Sequence, residues 1–209
     1  MNLSFRHFLL AMITISLWIG SSHWVRAEMA RYTVDPDHSS IGFQVAHLVI
    51  SKTNGEFSDY TGFIVMDPET EKVEAIEAVI KSNSITTRHQ KRDNHLKSDD
   101  FFNVEKFPTL TYKMKHYKKK GDQYTAVGDL TLLGVTKEIS LKGEFNGVAN
   151  DPWGNIRGGF SAEGTINRKD FGMNWSKRMD NGGVVVGNDV KIKLEIEVIK
   201  EKKEKPPKG

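Results

Sequence analysis

Val190-Lys191-Ile192-Lys193-Leu194-Glu195-Ile196-Glu197-Val198 is the stretch that decides the fold class. Successive side chains of a strand point to opposite sides, so Val190, Ile192, Leu194, Ile196 and Val198 share one face, and Lys191, Lys193, Glu195 and Glu197 share the other. A strand with one apolar and one charged side lies between a core and water, the usual position of a strand in an antiparallel sheet. Working back along the chain, the same alternation recurs. Phe160, Ala162 and Ile166 alternate with Ser161, Glu163 and Thr165, and Ile139, Leu141 and Phe145 with Ser140, Lys142 and Glu144. Leu130 and Leu132 alternate with Asp129 and Thr131, and Leu110, Tyr112 and Met114 with Thr111, Lys113 and Lys115. Further strands are expected over residues 41–50, 61–66 and 73–81, with shorter ones at 32–34, 55–57 and 184–186.

The connections carry turn chemistry: Asp67-Pro68, Lys120-Gly121-Asp122, Asp151-Pro152-Trp153-Gly154 and Asn181-Gly182-Gly183. Short turns between alternating strands make antiparallel neighbours, and about eight such strands close into a barrel or fold into a sandwich. The fold class is all-β. One segment departs from it. Residues 88–97 contain no β-branched side chain, and Thr87 followed by Gln90 has the form of a capping box, so a helix is expected there. Ser98-Asp99-Asp100 reads as a second cap before Phe101 and Phe102, and Phe107-Pro108 ends the insertion.

The chain has 209 residues, with 30 Lys and Arg against 27 Asp and Glu and no cysteine. That length suits one domain after any leader is removed. Without cysteine there are no disulfides, thiol nucleophiles or thiolate metal sites. The near-balanced charge argues against nucleic acid as a partner. The start has Arg6 and His7, an apolar run over 8–20 and Val25-Arg26-Ala27, which is the pattern of a secretory signal peptide cut after Ala27. The run is shorter than the roughly 20 residues of a membrane span. Export would follow, to the periplasm. Losing Arg6 and Arg26 takes the formal charge from +3 to +1. The tail over 200–209 holds five Lys and two Glu, so the body at 28–199 stands at −2. The tail reads as a solvated, disordered end, with contact between 200–208 and anionic head groups as a further reading.

Ala78, Gly128, Gly143, Ala162 and Gly164 fall on the apolar faces. Small inward residues leave room for a ligand in an eight-stranded barrel, although glycines there also mark bulges and bends. The histidines form no convincing metal set. His89 and Asp93 share a helix face without a third ligand, and His38 and His47 are an odd number of residues apart. Gly159-Phe160-Ser161-Ala162-Glu163-Gly164 has one residue too many for a nucleophile elbow and lies within a strand. No phosphate loop, dinucleotide fingerprint or zinc-protease motif is present.

Six pieces in order carry a resemblance. They are Asp35-Pro36-Asp37-His38-Ser39 with Phe43 and His47; Gly55-Glu56-Phe57; Ser84-Ile85-Thr86-Thr87; Arg92-Asp93-Asn94-His95-Leu96 with Phe101-Phe102 and Phe107-Pro108; residues 128–137, Gly-Asp-Leu-Thr-Leu-Leu-Gly-Val-Thr-Lys; and Arg168-Lys169-Asp170-Phe171-Gly172-Met173. Together they resemble the YceI-like family over about residues 32–199. Many members have Trp where this chain has Tyr32. The resemblance implies a closed lipocalin-like antiparallel barrel that holds a long isoprenoid lipid, a quinone or polyprenyl chain. It implies a periplasmic carrier or store, often a homodimer, with no cofactor other than the bound lipid and no established catalysis.

Alternation then selects the residues expected around the ligand: Ile41, Phe43, Val45, Leu110, Tyr112, Met114, Leu130, Leu132, Ile166, Leu194 and Ile196, with Ala162 and Gly164 keeping space open. Phe101 and Phe102 are expected to close one end. Phe171, Met173 and Trp175 join by composition and by the resemblance. A polar head group needs a partner, with His47 foremost and Arg168 or Asp93 as alternatives. Two rival readings stand beside binding. One is an enzyme acting on a lipid or quinone through His47, His38 or the Asp93/His95 pair. The other is a ligand-free structural module with a filled barrel.

Overall fold

The computed structural model describes residues 28–177 and 184–202. The expected leader at 1–27, the Asn181-Gly182-Gly183 turn and most of the lysine-rich tail lie outside them. Eleven strands and one helix follow in chain order: β1 (Ala30–Val34), β2 (Ser40–His47), β3 (Ser51–Phe57), β4 (Tyr60–Asp67), β5 (Lys72–Lys81), β6 (Ile85–Thr86), α1 (Gln90–Lys97), β7 (Thr109–Lys120), β8 (Gln123–Leu132), β9 (Val135–Asn150), β10 (Ile156–Asn167) and β11 (Val186–Lys200).

Eight of these strands close a ring, all antiparallel, in the order β1-β4-β5-β7-β8-β9-β10-β11 and back to β1. Alternation allows a barrel or a sandwich; the closed barrel is the one that the family resemblance implies. It is possible because β11 is shared. Its last residues pair with β1, Val198 with Val34 and Lys200 with Tyr32. Its first part pairs with β2, Ile192 with Phe43 and Leu194 with Ile41. From there β2, β3 and β6 branch off the ring. β4 pairs with β1 only from Phe63 to Met66. Ahead of that stretch, the Tyr60 hydroxyl bridges back to the carbonyl of Ser39 at 2.7 Å.

The structure revises several local expectations. The strand expected over 41–50 stops at His47, and Leu48, Val49 and Ile50 form a turn, with Leu48 at φ 53° and Val49 at φ 64°. The helix is not capped by Thr87. Arg88 takes φ 61° and redirects the chain, so His89 becomes the N-cap and its Nδ1 accepts from the Arg92 amide at 3.3 Å. Asp93 turns back and binds Thr86 and Thr87. Ser98 closes the helix and, as expected, also opens the next turn, its carbonyl accepting from the Phe101 amide at 3.1 Å. The tail begins later than Lys200. That residue ends β11, and Glu201 accepts from Arg31 and Thr33.

The interior divides along the barrel. Tyr32, Met66, Tyr124, Phe160 and Val198 belong to one buried cluster, and Phe57, Tyr60, Ile80, Leu110, Leu130, Leu132 and Phe171 to the other. The second lies toward α1 and the turn after β2.

Candidate functional site

A cavity of about 240 Å³ runs between these clusters, and residues of both line it. Its walls are almost wholly hydrocarbon and aromatic. Of the expected residues, Ile41, Phe43, Val45, Phe101, Phe102, Leu110, Tyr112, Leu130, Leu132, Ala162, Ile166, Arg168, Met173, Leu194 and Ile196 line it. Burial pushes the Tyr112 hydroxyl up to about 12, and that hydroxyl donates to the Ala126 carbonyl at 3.3 Å. The wall also contains residues that alternation implied without their being singled out. Ile192 and Val190 continue the face of Leu194, Ile139 and Leu141 pair with Gly128 and Ala126 of β8, and Phe57 and Tyr60 flank the β3–β4 turn.

Five expected residues stand elsewhere. Gly164 is on the inner face, but a Cβ there would lie 2.8 Å from Leu141 Cδ2; the space belongs to that leucine. Gly128 and Gly143 follow the same logic. A Cβ on Gly128 would meet the Tyr112 ring at 2.8 Å, and one on Gly143 would lie within 1.9 Å of the Ser161 carbonyl oxygen. These glycines permit close approach, while Ala78 and Ala162 do border the cavity. Met114 packs against the first cluster, and Phe171, only 2 % exposed, is core of the second. Trp175 is not part of the lining; it meets His95 edge-on and Phe101 at a tilt, with ring centroids 5.1 and 5.2 Å away. His47 ends β2 beside Val186 without reaching the lining.

One end is sheathed in aromatic rings. Phe57 meets Phe43 at 6.0 Å and Phe102 edge-on at 5.7 Å. Gly55 explains part of the motif quoted above: a Cβ there would sit 2.2 Å from the Phe43 ring, so only glycine lets that ring lie flat over β3. Arg168 closes the floor of this end. It is 2 % exposed, its Nε donates to Gly187 O at 2.9 Å and its Nη1 to Met173 O at 2.7 Å. Its Nη2 has no hydrogen-bond partner, and burial lowers its pKa.

The remaining titratable candidates are committed elsewhere. Burial alone would raise the Asp93 pKa, but bonds from the Thr87 side chain and amide and from Thr86 outweigh it and lower it. His95 pairs with Asp100 at 2.8 Å. Asp35, His38 and Glu197 have ligand atoms close enough to share a metal, yet the Arg157 guanidinium already sits on both carboxylates.

Comparison with known proteins agrees with this architecture. A model of the YceI-like domain matches residues 32–198. A UPF0312 protein of Yersinia enterocolitica is 42% identical over 149 residues, spanning 70% of this chain and 78% of that protein. The crystal structure of the Campylobacter jejuni YceI protein is 36% identical, with a TM-score of 0.66 over 75% of this chain and 90% of that one. A polyisoprenoid binding domain from Saccharophagus degradans shares the fold at 14% identity, with a TM-score of 0.60 over 83% of this chain and 100% of that one. The family model covers most of the described residues and the Yersinia relative is 42% identical, so the chain belongs to the YceI-like family.

Proposed function

We propose that the protein binds a long isoprenoid lipid, an isoprenoid quinone or polyprenyl chain, inside the barrel, and carries or stores it in the periplasm after its leader is removed. The observation that carries this reading is the continuous apolar cavity between the two clusters. The domain from Saccharophagus degradans, described as polyisoprenoid-binding, supports the same ligand class. Each buried methylene contributes about 0.8 kcal/mol, so some thirty buried carbons offer on the order of 20 kcal/mol gross. Ordering the chain consumes much of this, and the net result is tight, slowly released binding.

The cavity, at about 240 Å³, is just below the roughly 300–1,000 Å³ of ordinary ligand sites. Lining side chains must therefore shift to admit a long chain, and its polar end stays outside the apolar walls. Protein purified from a host with isoprenoid-containing membranes is the test. Solvent extraction should recover about one isoprenoid per barrel. An empty barrel that also takes up none on incubation contradicts the reading.

A further inference from the structure

The β2–β3 hairpin turns through Leu48-Val49-Ile50. Turns of this kind place residues at positive φ, where glycine and asparagine are at ease and a β-branched side chain is an outlier. Leu48 and Val49 are both there, and Val49 is 74% and Ile50 86% exposed. The Leu133-Gly134 turn between β8 and β9 makes the contrast. Leu133 also has positive φ, at 54°, but its side chain packs against the second buried cluster, and glycine fills the next position. Burial explains Leu133; no burial explains Val49 and Ile50.

The surroundings name the occupant. From Ser40 to Gly55 the hairpin contains no Asp or Glu, and Lys52 and His47 flank its turn. The Leu48 amide donates to Val185 O, and the Val185 amide to Lys177 O, which brings Lys177 and the half-exposed Val184 alongside. An apolar knob flanked by Lys52 and Lys177 fits a bilayer with anionic head groups, into which it buries its side chains while the lysines meet phosphates. The knob adjoins the cavity: His47 pairs with Val186, which lines it, and Val45 two residues back lines it too.

We infer that Leu48, Val49 and Ile50 form a membrane-docking tip that sets the α1 end of the barrel against an anionic bilayer. The inference rests on the lipid-binding reading for its purpose but not for its geometry. The basic tail leaves from the opposite end, where Lys200 pairs with Tyr32, so the two modes of membrane contact separate cleanly.

The test is cosedimentation of the full chain with vesicles of phosphatidylglycerol and phosphatidylethanolamine. Leu48→Asn/Val49→Gly supplies the residues this turn prefers, so its melting temperature should hold or rise. Its partition onto vesicles should fall about tenfold or more, as lost apolar burial requires. Ile50→Ser should fall in the same direction with the backbone untouched, and deletion of residues 203–209 should change little. Wild-type partition in both tip variants overturns the inference. So does a wild-type dimer that the variants convert to monomer with vesicle binding unchanged, which would make the tip an interface between copies. Uptake of a detergent-dispersed octaprenyl lipid is measured in parallel. If it fails in every protein while tip-dependent vesicle binding persists, the lipid-binding reading is wrong and the docking tip stands.

Discussion

Arg157 and Arg168 mark the two ends of β10, and their environments are opposite. Arg157 is held by three carboxylates: Asp35 at 2.6 Å, Asp151 at 2.9 Å and Glu197. Arg168, a strand's length away, has no carboxylate partner among the described residues and is held by two backbone carbonyls. The first end is a latch that joins the segment after β1, the β9–β10 turn and the end of β11, where the ring closes. The second is anchored without a counter-charge, beside the aromatic sheath and the branching hairpin. The pairing of charges therefore differs along the barrel, with a carboxylate latch where the ring closes and an arginine held only by backbone carbonyls where the hairpin branches off.

The same substitution at both sites tests the contrast. Arg157→Met leaves three carboxylates facing one another and should give the largest loss of stability, a fall in melting temperature on the order of 10 °C. It should also unfold at higher pH. For Asp151, burial would raise the pKa, but bonds from Arg157, Asn155 and two amides hold it well below its ordinary 3.8; Asp35 is lowered in the same manner. Groups lowered by folding add stability above their unfolded value and lose it as pH falls through the folded value. The wild type should therefore resist acid below pH 3.8, and the variant's acid midpoint should move up. Equal acid midpoints would break the latch account.

Gly164→Leu comes next. Its side chain would run into Leu141, so overpacking should cost about 1–3 kcal/mol. Since the glycine holds no cavity space, refolded variant should still take up lipid; loss of uptake without loss of stability would return Gly164 to the cavity wall. Arg168→Met should have the smallest effect on stability, about 1 kcal/mol or less, because two lost carbonyl bonds are offset by removing an unpaired buried charge. A loss as large as that of Arg157→Met, measured by denaturant unfolding, would erase the contrast.

Much of this was readable beforehand because period two is a local property. The charged and apolar faces of β11 are visible residue by residue, and from them come the antiparallel class and most of the cavity wall. What alternation cannot see is which neighbour fills a gap. Gly164 and Ala162 look alike in a strand pattern, and only the strand alongside shows that Leu141 occupies one gap and the cavity borders the other. Leu48-Val49-Ile50 continues an apolar run and so resembles strand; the turn depends on Ser51 pairing back with His47. The Arg157 latch joins residues from three separated segments, and no spacing in the chain announces it.

The central claim is that the interior of the barrel holds the lipid, and Ala162→Phe tests it most directly. Ala162 lines the cavity and is 7% exposed, so a phenyl ring there fills volume at the midpoint of β10. Native mass spectrometry after incubation with an octaprenyl lipid should show one chain on the wild type and none on a folded Ala162→Phe variant. A folded variant that still carries the full chain would place the lipid outside the barrel and contradict the account.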